Sequence, residues 1–250
     1  VDSPLEQRHA FAAMSEEGMG AIFDSIANEL AAPDGVTTTA TTTTGIDGND
    51  ITLYISRPDE MPGPMPAVLH LHGGAMAING AADVCYVRLR EHLAATGLVV
   101  VGVEFRNSSA TLGPHPFPAG LNDCASAARW VSENRDELGV SRIVASGESG
   151  GGNMTLTLAH KAKREGWVGE MAGFYAQCPY ISNRWLDGGD DLPSLYENDG
   201  YFISCEQAGL LGSLYDPAGS HADDATCWAL AATDEELRGL PPHVISVNEL

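Results

Sequence analysis

Lysine is nearly missing from this sequence. Only Lys161 and Lys163 occur in 250 residues, and 13 basic side chains against 34 acidic ones leave a formal charge of -21. A polyanion repels nucleic acid and anionic lipid, so neither is an expected partner. Long apolar runs are missing as well. None approaches the roughly 18 residues that a bilayer-crossing helix needs, which excludes membrane insertion from the expectations. The five cysteines (Cys85, Cys124, Cys178, Cys205 and Cys227) are odd in number, widely spaced and without a CxxC pair. Neither a disulfide framework nor a metal centre follows from that spacing. No secretory signal opens the sequence, so reduced thiols in a cytoplasm are the expectation. Internal repeats are absent. The missing initiator Met and the abrupt stop at Leu250 read as a processed or incomplete chain.

What is present has a rhythm. Residues 2–31 begin with a helix-start signal and carry Phe11, Met14, Ile22, Phe23, Ile26 and Leu30, which predicts one or two amphipathic helices. Threonine is β-branched and favours strands, so "VTTTATTTT" (36–44), the turn "GIDGND" and "ITLYISRP" predict a β-hairpin. Apolar runs then alternate with helical stretches: "AVLHLH" (67–72), a helix near 82–96, "GLVVVGVEF" (97–105), a helix near 119–138, "RIVASGES" (142–149) and a helix from about 150 to 164. Continuous apolar strands between amphipathic helices predict an α/β fold with a mostly parallel sheet covered on both faces and an antiparallel edge at the hairpin. After "MAGFYAQCPY" (171–180) the rhythm stops for about sixty residues and resumes with "PHVISVNE" (242–249), which predicts an inserted lobe.

Two stretches carry chemistry. "GESGGGN" (147–153) is a G-x-S-x-G match, weak as a pentapeptide but placed where an apolar strand gives way directly to a helix. A turn that tight needs small residues at Gly147 and Gly151, and it would project the Ser149 hydroxyl at a helix N-terminus, where backbone N–H groups favour developing negative charge. "HLHGGAM" follows another apolar strand. Its glycine amides at Gly73 and Gly74, with that of Gly150, could supply the preformed donors that a tetrahedral oxyanion requires. His72 is expected to hold the loop's shape, and His70 to be a packed core histidine.

"HGGAM", "FRNSS…HPFPAGLNDC" (105–124), "GESGGGN", "LPSLYENDGYFI" (192–203) and "DELRGLPPHVISVNEL" (235–250) together resemble the hormone-sensitive-lipase-like branch of the α/β-hydrolase fold. The resemblance runs from the N-terminal helices to the last residue. It implies an esterase in which Ser149 is the nucleophile, Gly73, Gly74 and Gly150 form the oxyanion hole, and a cap shapes the pocket. The implied division is 1–45 for N-terminal cap helices and first strand, 46–180 for the core, 181–240 for an inserted cap segment and 241–250 for a core strand. Met76, Tyr201 and Phe202 are the expected substrate contacts. Ala75 stands where the branch usually has a third glycine, and Glu148 where many members have Asp. The branch places its catalytic acid and histidine beyond the position of Leu250, so the C-terminal part of the fold is expected to lie on further sequence. His221 and His243 are the weaker internal candidates for the base.

The resemblance therefore implies a cofactor-free serine carboxylic ester hydrolase acting on small to medium hydrophobic esters or lactones, with self-association left open. The competing reading is a non-catalytic small-molecule-binding protein on the same fold, since folds host unrelated functions. Cys124 and Cys178 are expected to be buried small hydrophobes, and the Asp-rich pieces at 187–191 and 221–225 to be solvated loops rather than calcium ligands.

Overall fold

The computed structural model describes residues 3–27, 29–186, 188–201 and 203–248. The threonine-rich run forms β1 (Val36–Thr44), paired antiparallel with β2 (Asp50–Pro58) from Val36 opposite Pro58 to Thr44 opposite Asp50. Further strands are β3 (Met65–Leu71), β4 (Val99–Glu104), β5 (Val140–Glu148), β6 (Gly173–Gln177) and β7 (His243–Ser246). They form one seven-stranded sheet in the order β1-β2-β4-β3-β5-β6-β7. Only the two hairpin strands break the parallel pattern, since β2 also meets β4 antiparallel while all later pairs are parallel. Val99, Val100, Val101 and Val103 of β4 are all buried, as expected for a strand covered on both faces.

Parallel strands need long crossovers, and helices supply them. The helices are α1 (Leu5–Ala27), α2 (Val84–Ala95), α3 (Ala119–Glu133), α4 (Arg135–Leu138), α5 (Gly150–Glu165), α6 (Ser194–Glu197), α7 (Cys205–Tyr215) and α8 (Asp234–Leu237). The single helix expected near 119–138 is interrupted at Asn134, whose side-chain amide donates to the Trp130 carbonyl at 2.8 Å. Burial is deepest on α5, where twelve residues from Gly150 to Ala162 are buried. The Arg106 guanidinium clasps the buried Asp123 carboxylate through two bonds of 2.8 and 2.9 Å, tying the end of β4 to α3.

α1 departs from the expected amphipathic pattern. Ala12 is its one buried residue among those described, while Met14, Ile22 and Ile26 are exposed. The helix docks through polar links instead: the Arg8 guanidinium donates to the Ser213 carbonyl and hydroxyl on α7, at 3.3 and 3.0 Å. Among the described residues no helix is long and apolar enough to cross a membrane.

Candidate active site

Register brings the two motifs together. In the parallel pair β3 and β5, Leu71 lies opposite Gly147, so the loops that leave both strands emerge side by side at their C-terminal ends. Ser149 turns the chain from β5 into α5 with φ 53° and ψ -116°. For a residue with a Cβ, a backbone outside the populated regions costs on the order of 1–3 kcal/mol and persists only where its surroundings hold it. Three bonds hold this one. The Ser149 N–H donates to the Gln177 carbonyl at 2.9 Å, and its own carbonyl accepts from the Tyr180 and Asn153 amides at 2.8 and 3.1 Å.

The flanking glycines are steric necessities. A Cβ on Gly147 would strike the Leu71 carbonyl, and one on Gly151 would strike that same oxygen and come within 2.6 Å of the His72 carbonyl. The elbow is therefore pressed against the end of β3. Asn153, buried one turn into α5, donates to the Cys227 carbonyl at 2.9 Å and accepts from the Ala229 amide at 3.1 Å. This fixes the helix whose N-terminus begins at Gly150.

The facing loop is shaped by hydrogen bonds and backbone strain. The Gly73 N–H donates to Glu148 Oε1 at 2.7 Å, while Glu148 Oε2 lies 3.2 Å from His70 Nε2. His72 Nδ1 donates to the Gly73 carbonyl at 2.8 Å, and its ring stacks on Phe105 with centroids 4.1 Å apart. Burial pushes the His72 pKa down to about 4, so the ring is neutral at neutral pH. Next come three residues with positive φ: Gly74 at 113°, Ala75 at 53° and Met76 at 58°. The turn closes with the Ala77 and Ile78 amides on the Gly74 carbonyl, at 2.9 and 3.0 Å.

Among the described residues the amides of Gly74, Ala75 and Gly150 have no hydrogen-bond partner. The loop presses on the elbow at this point: a Cβ on Gly150 would sit 2.6 Å from the nitrogens of both Ala75 and Met76. Such a cluster of unspent donors at a helix N-terminus suits an oxygen that gains negative charge. Ser149 Oγ likewise carries no hydrogen bond among the described residues.

Several expectations need revision. Gly73 is removed from the free donors because the Glu148 carboxylate already occupies its N–H, and Ala75 is the loop amide beside Gly150. Met76 is 2% exposed and packs in the core, with its carbonyl held by the Ser108 amide and hydroxyl at 2.8 and 3.1 Å, so it shapes the loop rather than an open pocket wall. Tyr201 is 78% exposed and makes no hydrogen bond to the elbow among the described residues. Phe202 lies outside the described residues. Cys178 is exposed in a left-handed turn with φ 35°, whereas Cys124 is buried on α3. His221 is held by the buried Asp216 carboxylate at 3.0 Å, and His243 stacks on Phe174 at the opposite ends of the strands; neither bonds to Ser149. Within the Asp-rich pieces, Asp191 pairs with Arg184 and Asp224 with Arg164. Glu148 is the residue the sequence undervalued. Its visible signal was a carboxylate next to the elbow serine, on the strand adjoining His70.

A family model described as alpha/beta hydrolase fold matches residues 68–250. The curated carboxylesterase NlhH of Mycobacterium tuberculosis strain H37Rv is 34% identical over 217 residues, which cover 83% of this chain and 63% of that protein. The chain thus spans less than two thirds of that relative's length. Among solved structures, brefeldin A esterase, described as a bacterial homologue of human hormone sensitive lipase, superposes with a TM-score of 0.95 at 43% identity, covering 99% of this chain and 70% of its own. Esterase Est22 follows with a TM-score of 0.86 at 37% identity, covering 94% and 71%. Together with the strand order and the paired loops, these matches establish that the chain belongs to the α/β-hydrolase family, in its hormone-sensitive-lipase-like branch.

Proposed function

We propose that this protein is a serine carboxylic ester hydrolase with Ser149 as nucleophile. One observation carries the reading: the register of Leu71 with Gly147 sets a strained serine at a helix N-terminus beside the unspent amides of Gly74, Ala75 and Gly150. In the proposed reaction Ser149 Oγ attacks the ester carbonyl carbon while a general base takes its proton. The carbonyl oxygen becomes an oxyanion that accepts hydrogen bonds from the three amides. Collapse expels the alcohol, which regains the proton, and water then cleaves the acyl-serine to release the acid. A donor of this kind contributes about 3–4 kcal/mol to the transition state in a measured protease case. Gly73 and Glu148 would act behind the loop, and neutral His72 would keep its shape.

We infer hydrophobic esters of small to medium size as substrates from the aromatic and apolar residues of 181–240, and the 43% identity with brefeldin A esterase supports including lactones. Of the N-terminal segment 1–45, α1 would join residues 181–240 in a cap over this site while β1 belongs to the sheet, a reading supported by the Arg8–Ser213 link between α1 and α7. The test is a series of nitrophenyl esters of increasing acyl length. Ser149→Ala should abolish hydrolysis across the series with the circular dichroism spectrum unchanged. Substantial turnover by the folded variant would refute the assignment and point to a different nucleophile, whereas no turnover by the wild type would favour the binding protein.

A further inference from the structure

The loop that offers the Gly74 and Ala75 amides is fixed at its first residue by Glu148, a partly buried carboxylate at the end of β5. Its far end meets a second carboxylate, from the surface helix α1. Glu16 Oε1 accepts the Asn79 N–H at 2.8 Å, and Glu16 Oε2 accepts the Thr111 N–H and hydroxyl at 3.1 and 2.5 Å. Asn79 is itself held in a left-handed conformation with φ 69°, and its carbonyl accepts from the Asn107 side-chain amide at 2.7 Å.

From this geometry we propose that Glu16 is a positioning residue for the oxyanion loop, through which the docking of α1 sets the placement of the Gly74 and Ala75 amides; the catalytic part of this inference rests on the esterase reading above. The path is short. Residues 74–78 close one tight turn on the Gly74 carbonyl, so the position of Asn79 fixes where that turn begins and ends. Segment 107–111 backs the same turn, with Ser108 on the Met76 carbonyl and Asn107 on that of Asn79. α1 grips this segment twice, through Glu16 on Thr111 and through His9 Nδ1 on the Ser109 hydroxyl at 2.7 Å. Asn107, Ser108 and Ser109 are buried, and hydrogen bonds strengthen in such surroundings.

The clamp is one of a few links that hold α1, beside Arg8 on Ser213, Phe23 edge-on to Tyr86 and Met19 packed against the Ala12 cluster. With Ala12 alone buried on this helix among the described residues, apolar burial contributes little to its docking. A cavity of about 700 Å³ opens between the helix and residues 109–114, lined in part by His9, Ala13, Glu16 and Glu17. The carboxylate therefore stands at the edge of a wedge, where loss of its three bonds frees the loop end and leaves the core intact.

Two readouts test this. Amide hydrogen exchange by mass spectrometry, on the protein without substrate, should show residues 74–80 exchanging on the order of tenfold faster in Glu16→Ala, with residues 140–165 unchanged. Steady-state kinetics should show kcat falling about tenfold with KM within about twofold, below the ~10²-fold attached to a 1 Å misplacement. Glu16→Gln keeps an acceptor for Asn79 and should recover most of both, which also covers a failure of the alanine variant to fold. Glu17→Ala, on the same helix and exposed, should change neither. Unaltered exchange at 74–80 in Glu16→Ala overturns the clamp, and so does a rise in KM with kcat unchanged. Because exchange is read without substrate, it decides the clamp even if Ser149 proves not to be a nucleophile.

Discussion

The two halves of the site are built by different physics. The elbow around Ser149 is a matter of shape: Gly147 and Gly151 let it press against the carbonyl oxygens of Leu71 and His72, where no Cβ can fit. The loop from Gly73 to Asn79 is a matter of hydrogen bonds, with a carboxylate at each end and three left-handed residues in succession between them. A steric half fails completely when one atom is added. A hydrogen-bonded half degrades by degrees, since each partner can be weakened separately.

Gly151→Ala should therefore have the largest effect. Its Cβ would overlap backbone oxygen rather than a movable side chain, so the cost lies at or above the top of the ~1–3 kcal/mol range for overpacking. Thermal denaturation should show a strongly lowered Tm or no cooperative transition, and activity should vanish with the fold. A Gly151→Ala protein with native stability would mean that the elbow is not sterically closed.

Glu148→Ala should act on the loop alone. It leaves the Gly73 N–H and the His70 ring without their partner, at about 1–3 kcal/mol for a buried group left unsatisfied. It should lower kcat by up to ~10²-fold through a misplaced loop, with KM affected far less. Glu148→Gln retains an acceptor for Gly73 and should recover most of the rate. Equal losses in both variants would show that charge, not the Gly73 bond, is what counts.

The third effect is one of pH and appears only on acidification. The His72 pKa is depressed from 6.5 to about 4 in the folded chain because burial disfavours the charged ring. Above pH 6.5 the ring is neutral in both states and its contribution is whole. As the pH falls from 6.5 toward 4, the unfolded chain takes up a proton that the folded loop refuses, so stability declines by at most about 3 kcal/mol. Urea midpoints measured from pH 7 to 4 should fall more steeply for the wild type than for His72→Gln. Parallel curves would contradict the account of a buried neutral ring.

The same contrast explains what the sequence disclosed. Steric rules are local, so Gly147, Ser149 and Gly151 announce the elbow within five residues, and runs such as "VVVGVE" announce buried parallel strands. Hydrogen-bond partners are not local. Gly73 reads as a free donor in the sequence because the carboxylate that occupies it belongs to Glu148 on another strand, and Glu16 meets Asn79 across 63 positions with no periodic signal. Hydrophobic pattern also misled at α1, where Met14 and Ile22 face solvent because the helix docks through Arg8, His9 and Glu16 instead. Met76 looked like a pocket wall from its place beside the glycines, yet its left-handed backbone turns it into the core.

All of this converges on one claim, that Ser149 carries the acyl group. Mixing the protein with 4-nitrophenyl acetate, quenching in acid within the first turnover and mapping the digest by mass spectrometry tests it most directly. One acetyl group on the peptide containing Ser149, matched by a burst of one nitrophenol per chain and absent from Ser149→Ala, is the predicted result. A burst with the acetyl group on any other residue, or undiminished hydrolysis by Ser149→Ala, would contradict it.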